Sequence, residues 1–439
     1  MQKIINILKN AVLYLGIPFL AFFYYSGLGF TGKIRMQTDN FNYFKNLAIS
    51  FLHGRLDIPK CPPGTDCHDM VNYHGKRYLY EPPIPALIYI PLVIIFKENT
   101  PDFLIAAIFG TFNVLFISIL LNLISKKYNL NLTFFEKIIF SLFWALGTVH
   151  FSLSMSGGVW YISQIIAQTF LILSIIFILK NKNYFDLFLS GLFFSMAVYT
   201  RNNIVFAFFA IVCIYISLNN INYQDKKYIK KIISIFLSTF LFFSILNMIY
   251  NGVRFNWKVF SNGINHHQMA ERFVNDFKKY GYFSVVYIPR NFIREVIIPP
   301  PFDSKFPFIK FDPEGFGFLW ASPLFIFIIP VLIFLIRDLY YYLKENTMPK
   351  FFRRQEIIFL TGATISTIGI SFVIFLVMNT GWMQFASRFS IDYQIFLFIL
   401  ILFTKRIGKN FKFLMLSYLF LTIISIYINY WGVIFWIRP

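Results

Sequence analysis

The sequence predicts an all-α polytopic membrane protein with about eleven transmembrane helices, and three observations support that reading. Of its 439 residues 57% are hydrophobic and 21% aromatic, while only 14% are charged; an ordinary soluble domain carries about 25% charged residues. Apolar runs near the roughly 20 residues that a bilayer core demands recur along the whole chain. The 40 basic residues outnumber the 20 acidic ones and sit in short clusters between those runs. That arrangement orients membrane proteins and differs from the basic stripe of a nucleic-acid binder. The bilayer is therefore the expected partner, and nucleic acid is not.

Taken in order, residues 1–30 read as an N-terminal anchor. The apolar stretch from Ala11 to Phe30 follows Lys3 and Lys9. It is too long, too aromatic and too poor in small residues near its end to be a cleaved secretory signal. Residues 31–102 form a first long loop. Within it, 84–96 is apolar but only 13 residues long, with Pro85 and Pro91 inside, short for a span. Residues 103–250 hold apolar runs at 103–124, 138–155, 161–179, 186–199, 203–218 and 232–250. A second long loop occupies 251–317, and 318–439 adds runs at 318–336, 357–378, 389–404 and 413–430.

Basic charge decides whether 84–96 crosses. With the N-terminus cytoplasmic and 84–96 lying in, or dipping into, the outer interface, one side collects Lys3 and Lys9; Lys126, Lys127 and Lys137; and Lys180 and Lys182. The same side then receives Lys226, Lys227, Lys230 and Lys231; Arg337, Lys344, Lys350, Arg353 and Arg354; and Lys405, Arg406, Lys409 and Lys412. The short outer loops and tail keep Arg201, Arg388 and Arg438. If 84–96 crossed, every later cluster would face outward. The expectation is an N-terminus inside, a C-terminus outside, and both long loops on the outer side.

The first loop carries the densest set of reactive side chains. Phe41, Phe44, Ala48, Phe51 and Leu52 recur at helical spacing and predict a short amphipathic helix along the interface. Asp39 stands at its start, where it or Thr38 can cap the helix and where Asp39 can also act as a general base. Arg201 in TRNN and Arg388 in ASRFS lie at the outer ends of apolar runs with no adjacent acid. Each can meet a phosphate in a bidentate contact or snorkel to lipid head groups. Arg254 in NGVRF, and Lys76 with Arg77 ahead of the Pro-Pro pair, are further candidates for phosphate. Cys61 and Cys67 flank PPGTD and read as a disulfide closed over a turn. Zinc on Cys61, Cys67, His68 and His74 is the alternative, with spacing unlike a structural zinc pattern. The pair His266-His267 can bind substrate, but neighbours point to different faces in regular structure, so surface histidines are the default expectation.

The segments TDNFNYFKNLAISF and YLYEPPIPALIYIP, with AVYTRNN, YNGVRF and FASRFSIDY, resemble the GT-C glycosyltransferases, a superfamily that includes the protein O-mannosyltransferases and the aminoarabinose transferases. The resemblance implies a polytopic helical fold with interfacial helices in the first outer loop. It also implies transfer of a sugar from a polyprenyl-phosphate donor to a lipid, glycan or protein acceptor outside the cytoplasm, with Asp39 as the acceptor-activating base. The chain departs from the pattern in three places. Asp39 is followed by Asn40 where several members have Asp-Glu, Glu81 stands where some have Lys, and Ser154 to Gln164 lacks an acid. A second catalytic acid, if one exists, would have to be Glu81, Asp57 or Asp69, or come from Asp312 or Glu314 in the second long loop. No cofactor is assigned, and a divalent metal is compatible with the pattern. Two other classes fit a polytopic chain: a transporter or flippase of lipid-linked glycans, which needs polar spans and repeated broken helices, and a non-catalytic scaffold, which would tolerate loss of Asp39.

Overall fold

The computed structural model describes residues 2–219, 226–267, 271–306, 308–310, 312–344, 350–379, 381–408 and 410–434. Lys409 and Arg438, and the side chains of Lys3, Lys226 and Lys227, all used in the charge argument, lie outside what is described. The chain opens on α1 (Ile4–Tyr25), whose Leu13, Ile17, Ala21 and Tyr25 are buried at three-to-four-residue spacing. The first loop contains α2 (Tyr43–Leu52), a hairpin of β1 (Met70–Tyr73) and β2 (Lys76–Leu79), and α3 (Ile84–Phe96). The first bundle follows as α4 (Asp102–Lys127), α5 (Phe134–Leu146), α6 (Val159–Lys180), α7 (Tyr184–Val198), α8 (Asn202–Asn219) and α9 (Lys230–Arg254). After the second loop come α10 (Pro323–Lys344), α11 (Arg354–Leu376), α12 (Ile391–Leu402) and α13 (Phe411–Gly432).

Every predicted apolar run is helical, yet eleven full-length spans do not result. Among the described residues, eight helices are long and apolar enough to cross a membrane: α1, α4, α6, α8, α9, α10, α11 and α13. The other three runs are shorter for local reasons. The run 138–155 breaks at Gly147 into α5 and a turn of helix at His150–Ser154. The run 389–404 opens on a 3₁₀ turn at Arg388–Ser390, which leaves α12 with 12 residues, and α7 has 15. At 13 residues α3 is likewise too short to span.

Burial separates the core from the lipid-facing rim. All twelve residues of α12 are buried, and α6 is nearly as enclosed, whereas few residues of α9 and α13 are buried. The core helix α12 runs from Asp392 at one end of the bundle toward Lys405 and Arg406 at the other. The second end also gathers Glu136, Glu356 and the carbonyl of Tyr128 around those two cations.

The two long loops meet each other. The hairpin pairs Met70 with Leu79 and Tyr73 with Lys76 and turns through His74 and Gly75 at φ 48° and 72°, the left-handed pair that a two-residue hairpin turn requires. Val71 also bridges to His267 of the second loop. Arg254, at the end of α9, donates to the carbonyl of Leu79 at 2.6 Å and lies 3.8 Å from the ring centroid of Tyr250.

Candidate functional site

The amphipathic segment forms as α2, but Asn42 caps it. The Asn42 side chain accepts from the backbone N–H of Lys45 at 3.3 Å, whereas Asp39 Oδ1 accepts from the N–H of Phe41 at 2.8 Å in a local turn. Neither Asp39 nor Thr38 is the cap. Lys45 is buried. Its reason is Asp102 at the head of α4, which takes the Lys45 ammonium at 3.1 Å, the Asn42 amide at 2.7 Å and the backbone N–H of Asp39 at 2.8 Å. Gly157 lets the start of α6 approach these acids: a Cβ there would stand 3.0 Å from the Cβ of both Asp39 and Asp102. Burial pushes the Asp39 carboxyl above its ordinary range, against the opposing pull of the Phe41 N–H, Lys45 and Arg35.

Beside this knot, across the aromatic wall of Trp160 and Tyr161, lies a cavity of about 240 Å³. Its lining brings together Glu81, Asp69, His267, Arg201 and Arg388, drawn from both long loops and from the ends of α7 and α12. Tyr161 lies within electrostatic range of both Asp39 and Arg388, so the two are at the same end of the bundle, although Asp39 does not line the cavity.

The two arginines differ. Arg201 Nε and Nη2 both donate to Asp392 Oδ2, at 2.9 and 2.7 Å, and the Asn203 amide adds a third bond at 2.8 Å. The partner of Arg201 is thus an acid distant in sequence, since none is adjacent to it in the chain. Asp392 lies in the same FASRFSIDY segment as Arg388, but the first turn of α12 points it at Arg201. Arg388 is only 8% exposed, and its Nε and Nη1 find no hydrogen-bond partner among the described residues. The guanidinium sits among Phe389, Tyr161 and Trp160, 4.7, 5.4 and 5.9 Å from their centroids. Behind it Glu295, buried and invisible to the sequence reading, accepts from the Ser387 hydroxyl. Burial holds the Glu295 carboxyl well above the usual range, against the pull of Arg388 and Arg294, which disfavours its charged form beside Arg388.

Glu81 and Asp69, two of the candidate second acids, line the cavity. Burial pushes Glu81 up to about 8, against Arg201 and Arg388 and with Asp69 adding to the rise. Asp69, held at φ 63°, places Oδ1 3.6 Å from Nε2 of His267. The remaining candidates go elsewhere. Asp57 is held by Arg55 at 2.7 Å, and Asp312 and Glu314 share Arg294 at 2.9 and 2.8 Å. Arg254 is committed to Leu79 and Asn251, Arg77 donates to the carbonyl of Pro59, and Lys76 is exposed on the hairpin. None of these lines the cavity. Cys61 and Cys67 are joined in a disulfide, which removes them as zinc ligands. Among the described residues no three His, Cys, Asp or Glu side chains cluster in the manner of a metal site.

Of the histidine pair, His266 is exposed while the His267 side chain is only 4% exposed and lines the cavity. Opposite orientation of neighbours was the available signal; it identifies one of the two as inward-facing without saying which.

No family model matches the chain, and neither does any curated protein. Among solved structures, the chain is similar to the crystal structure of the Archaeoglobus fulgidus oligosaccharyltransferase in its apo form. The identity is 12% and the TM-score 0.48, over 96% of this chain and 55% of that one, so this chain spans about half the length of that protein.

Proposed function

We propose that the protein is a membrane-embedded glycosyltransferase of the GT-C kind, which moves a sugar from a polyprenyl-phosphate donor to a lipid, glycan or protein acceptor on the outer side of the membrane. One observation carries the reading: a buried guanidinium, Arg388, lines a cavity with two nitrogens that no described residue engages. Buried charge without a direct partner is costly, and a phosphate in the cavity would supply the matching oxygens. Arg201, already tied to Asp392, adds positive field on the same wall.

In this scheme the acceptor hydroxyl oxygen bonds to the anomeric carbon. The bond from that carbon to the phosphate oxygen breaks, its electron pair leaves with the phosphate, and Arg388 stabilises the developing charge. The hydroxyl proton passes to Asp39, whose raised affinity for protons suits a base. The acceptor would enter at Trp160, which lines the cavity and packs on Phe41 beside Asp39, so that its hydroxyl would lie between the anomeric carbon and Asp39. The outward orientation follows from the basic clusters at the far end of the bundle.

The test is transfer by the purified full chain from a lipid-linked sugar. Asp39→Asn is expected to insert and fold but lose transfer, and Arg388→Ala to weaken donor binding more than acceptor binding. Undiminished transfer by Asp39→Asn removes its role as base. A wild-type protein that binds no lipid phosphate ends the proposal.

A further inference from the structure

Among the side chains that line the cavity, the buried polar atoms without a partner among the described residues divide into two chemical kinds. Arg388 Nε and Nη1 are donors only and suit an anion. Glu81 Oε2 and the two ring nitrogens of His267 are different. Burial disfavours the charged form of His267, and a neutral ring presents one donor and one acceptor. Glu81, with its proton retained up to about pH 8, likewise presents an O–H and a carbonyl oxygen. A phosphate mainly accepts, so it leaves half of such a set unmet. An apolar group leaves all of it unmet, at about 1–3 kcal/mol for each stranded group. A sugar hydroxyl both donates and accepts.

This side of the cavity is also rigidly built. The Val71–His267 bridge locks the second loop to the hairpin. Gly263 makes that closure possible, since a Cβ there would fall 2.6 Å from Val71 Cγ1. The Tyr80 ring stands edge-on to His267 at 4.9 Å, and Asp69 faces its Nε2. Asn203, Asn262 and Asn379 line the same cavity, each with one half of its amide already bonded within the fold.

We infer that Glu81 and His267 form a hydroxyl-reading subsite, which selects the sugar carried by the donor whose phosphate rests on Arg388. The inference depends on the donor reading above and deepens it by naming the residues that tell one sugar from another. Asp69 positions the His267 ring. The groups that set the charge state of Glu81 are Arg201, Arg388 and Asp69, with Tyr80, Tyr282 and His267 on the facing loops.

The experiment measures binding of two probes to the detergent-purified full chain: undecaprenyl phosphate, and the same lipid phosphate bearing one monosaccharide from a panel of hexoses, deoxyhexoses and pentoses. Wild type should prefer one sugar-bearing lipid over the bare lipid by at least about tenfold, or about 1.4 kcal/mol. His267→Ala and Glu81→Ala should bind the bare lipid as wild type does and lose the preference. Glu81→Gln, which keeps a donor and an acceptor, should retain it. Preference unchanged in both alanine variants overturns the subsite while leaving the donor reading intact, as does an equal loss for both probes. Failure of wild type to bind either lipid defeats the donor reading itself.

Discussion

At one end of α12, Lys405 bonds to Glu136 at 2.5 Å and Arg406 to Glu356 at 2.6 and 3.0 Å. At the other end, about 18 Å away by helical rise, Arg388 is as deeply enclosed, and no described residue bonds to its Nε or Nη1. Burial raises the proton affinity of the acid behind it, Glu295. Both ends bury cations and carboxylates, and the difference lies in pairing. A charge matched by direct bonds ties helices together. A charge left unmatched beside a cavity costs stability that only a ligand restores, and such trade-offs gather at functional sites. Arg201 sits between the two cases, since it is paired with Asp392 and still lines the cavity.

The comparison breaks most visibly if Arg388 and Arg406 behave alike. Arg388→Ala should lower kcat/KM for a lipid-linked donor by at least about 100-fold, the loss of two charge-assisted hydrogen bonds, with little change in thermal stability. Arg406→Ala should do the reverse, lowering Tm while surviving protein binds donor normally. Parallel losses in both variants would mean that Arg388 is also a structural tie.

Next in size is Asp392→Asn. It leaves Arg201 buried without its counter-charge and should cost about 3–5 kcal/mol of stability, read as a drop in Tm, with Glu356→Gln at the opposite end of the bundle showing a comparable drop. If Asp392→Asn changed donor affinity with no loss of stability, Asp392 would belong to the ligand site. A smaller effect is expected from Cys61→Ser with Cys67→Ser. The bridge closes a short loop and contributes about 2 kcal/mol on the chain-entropy account, so the reduced pair should melt lower and keep its donor affinity.

What the sequence made legible was local. Apolar length located the helices, and period located α2, because both are properties of contiguous residues. The pairing of charges was not local. Arg201 and Asp392 are separated by 191 positions, and no spacing rule connects them. Asp392 was visible four residues after Arg388, yet the turn at the head of α12 sends it to another partner. The Lys45–Asp102 pair was hidden in the same way, since the acid belongs to the next helix. Even the shortfall in full-length spans has a local cause that hydropathy misses. Gly147 and the 3₁₀ turn at Arg388–Ser390 interrupt runs that remain apolar across the break.

The finest division between the two ends concerns proton affinity at Glu81. Its value is about 8 in the folded protein against 4.5 for the unperturbed group. The folded state therefore holds a proton that the unfolded state releases between those two values. The sign follows from that difference: the contribution is complete below pH 4.5 and is lost as pH rises through about 8. Across that window Glu81 should lower stability by at most about 1.4 kcal/mol per pH unit. Glu81→Gln cannot ionise and should show a shallower fall in Tm between pH 5 and 8, with little difference from wild type at pH 5. Identical slopes in the two proteins would mean that Glu81 is ionised and solvated, and the cavity would then hold a second anion close to the place proposed for phosphate.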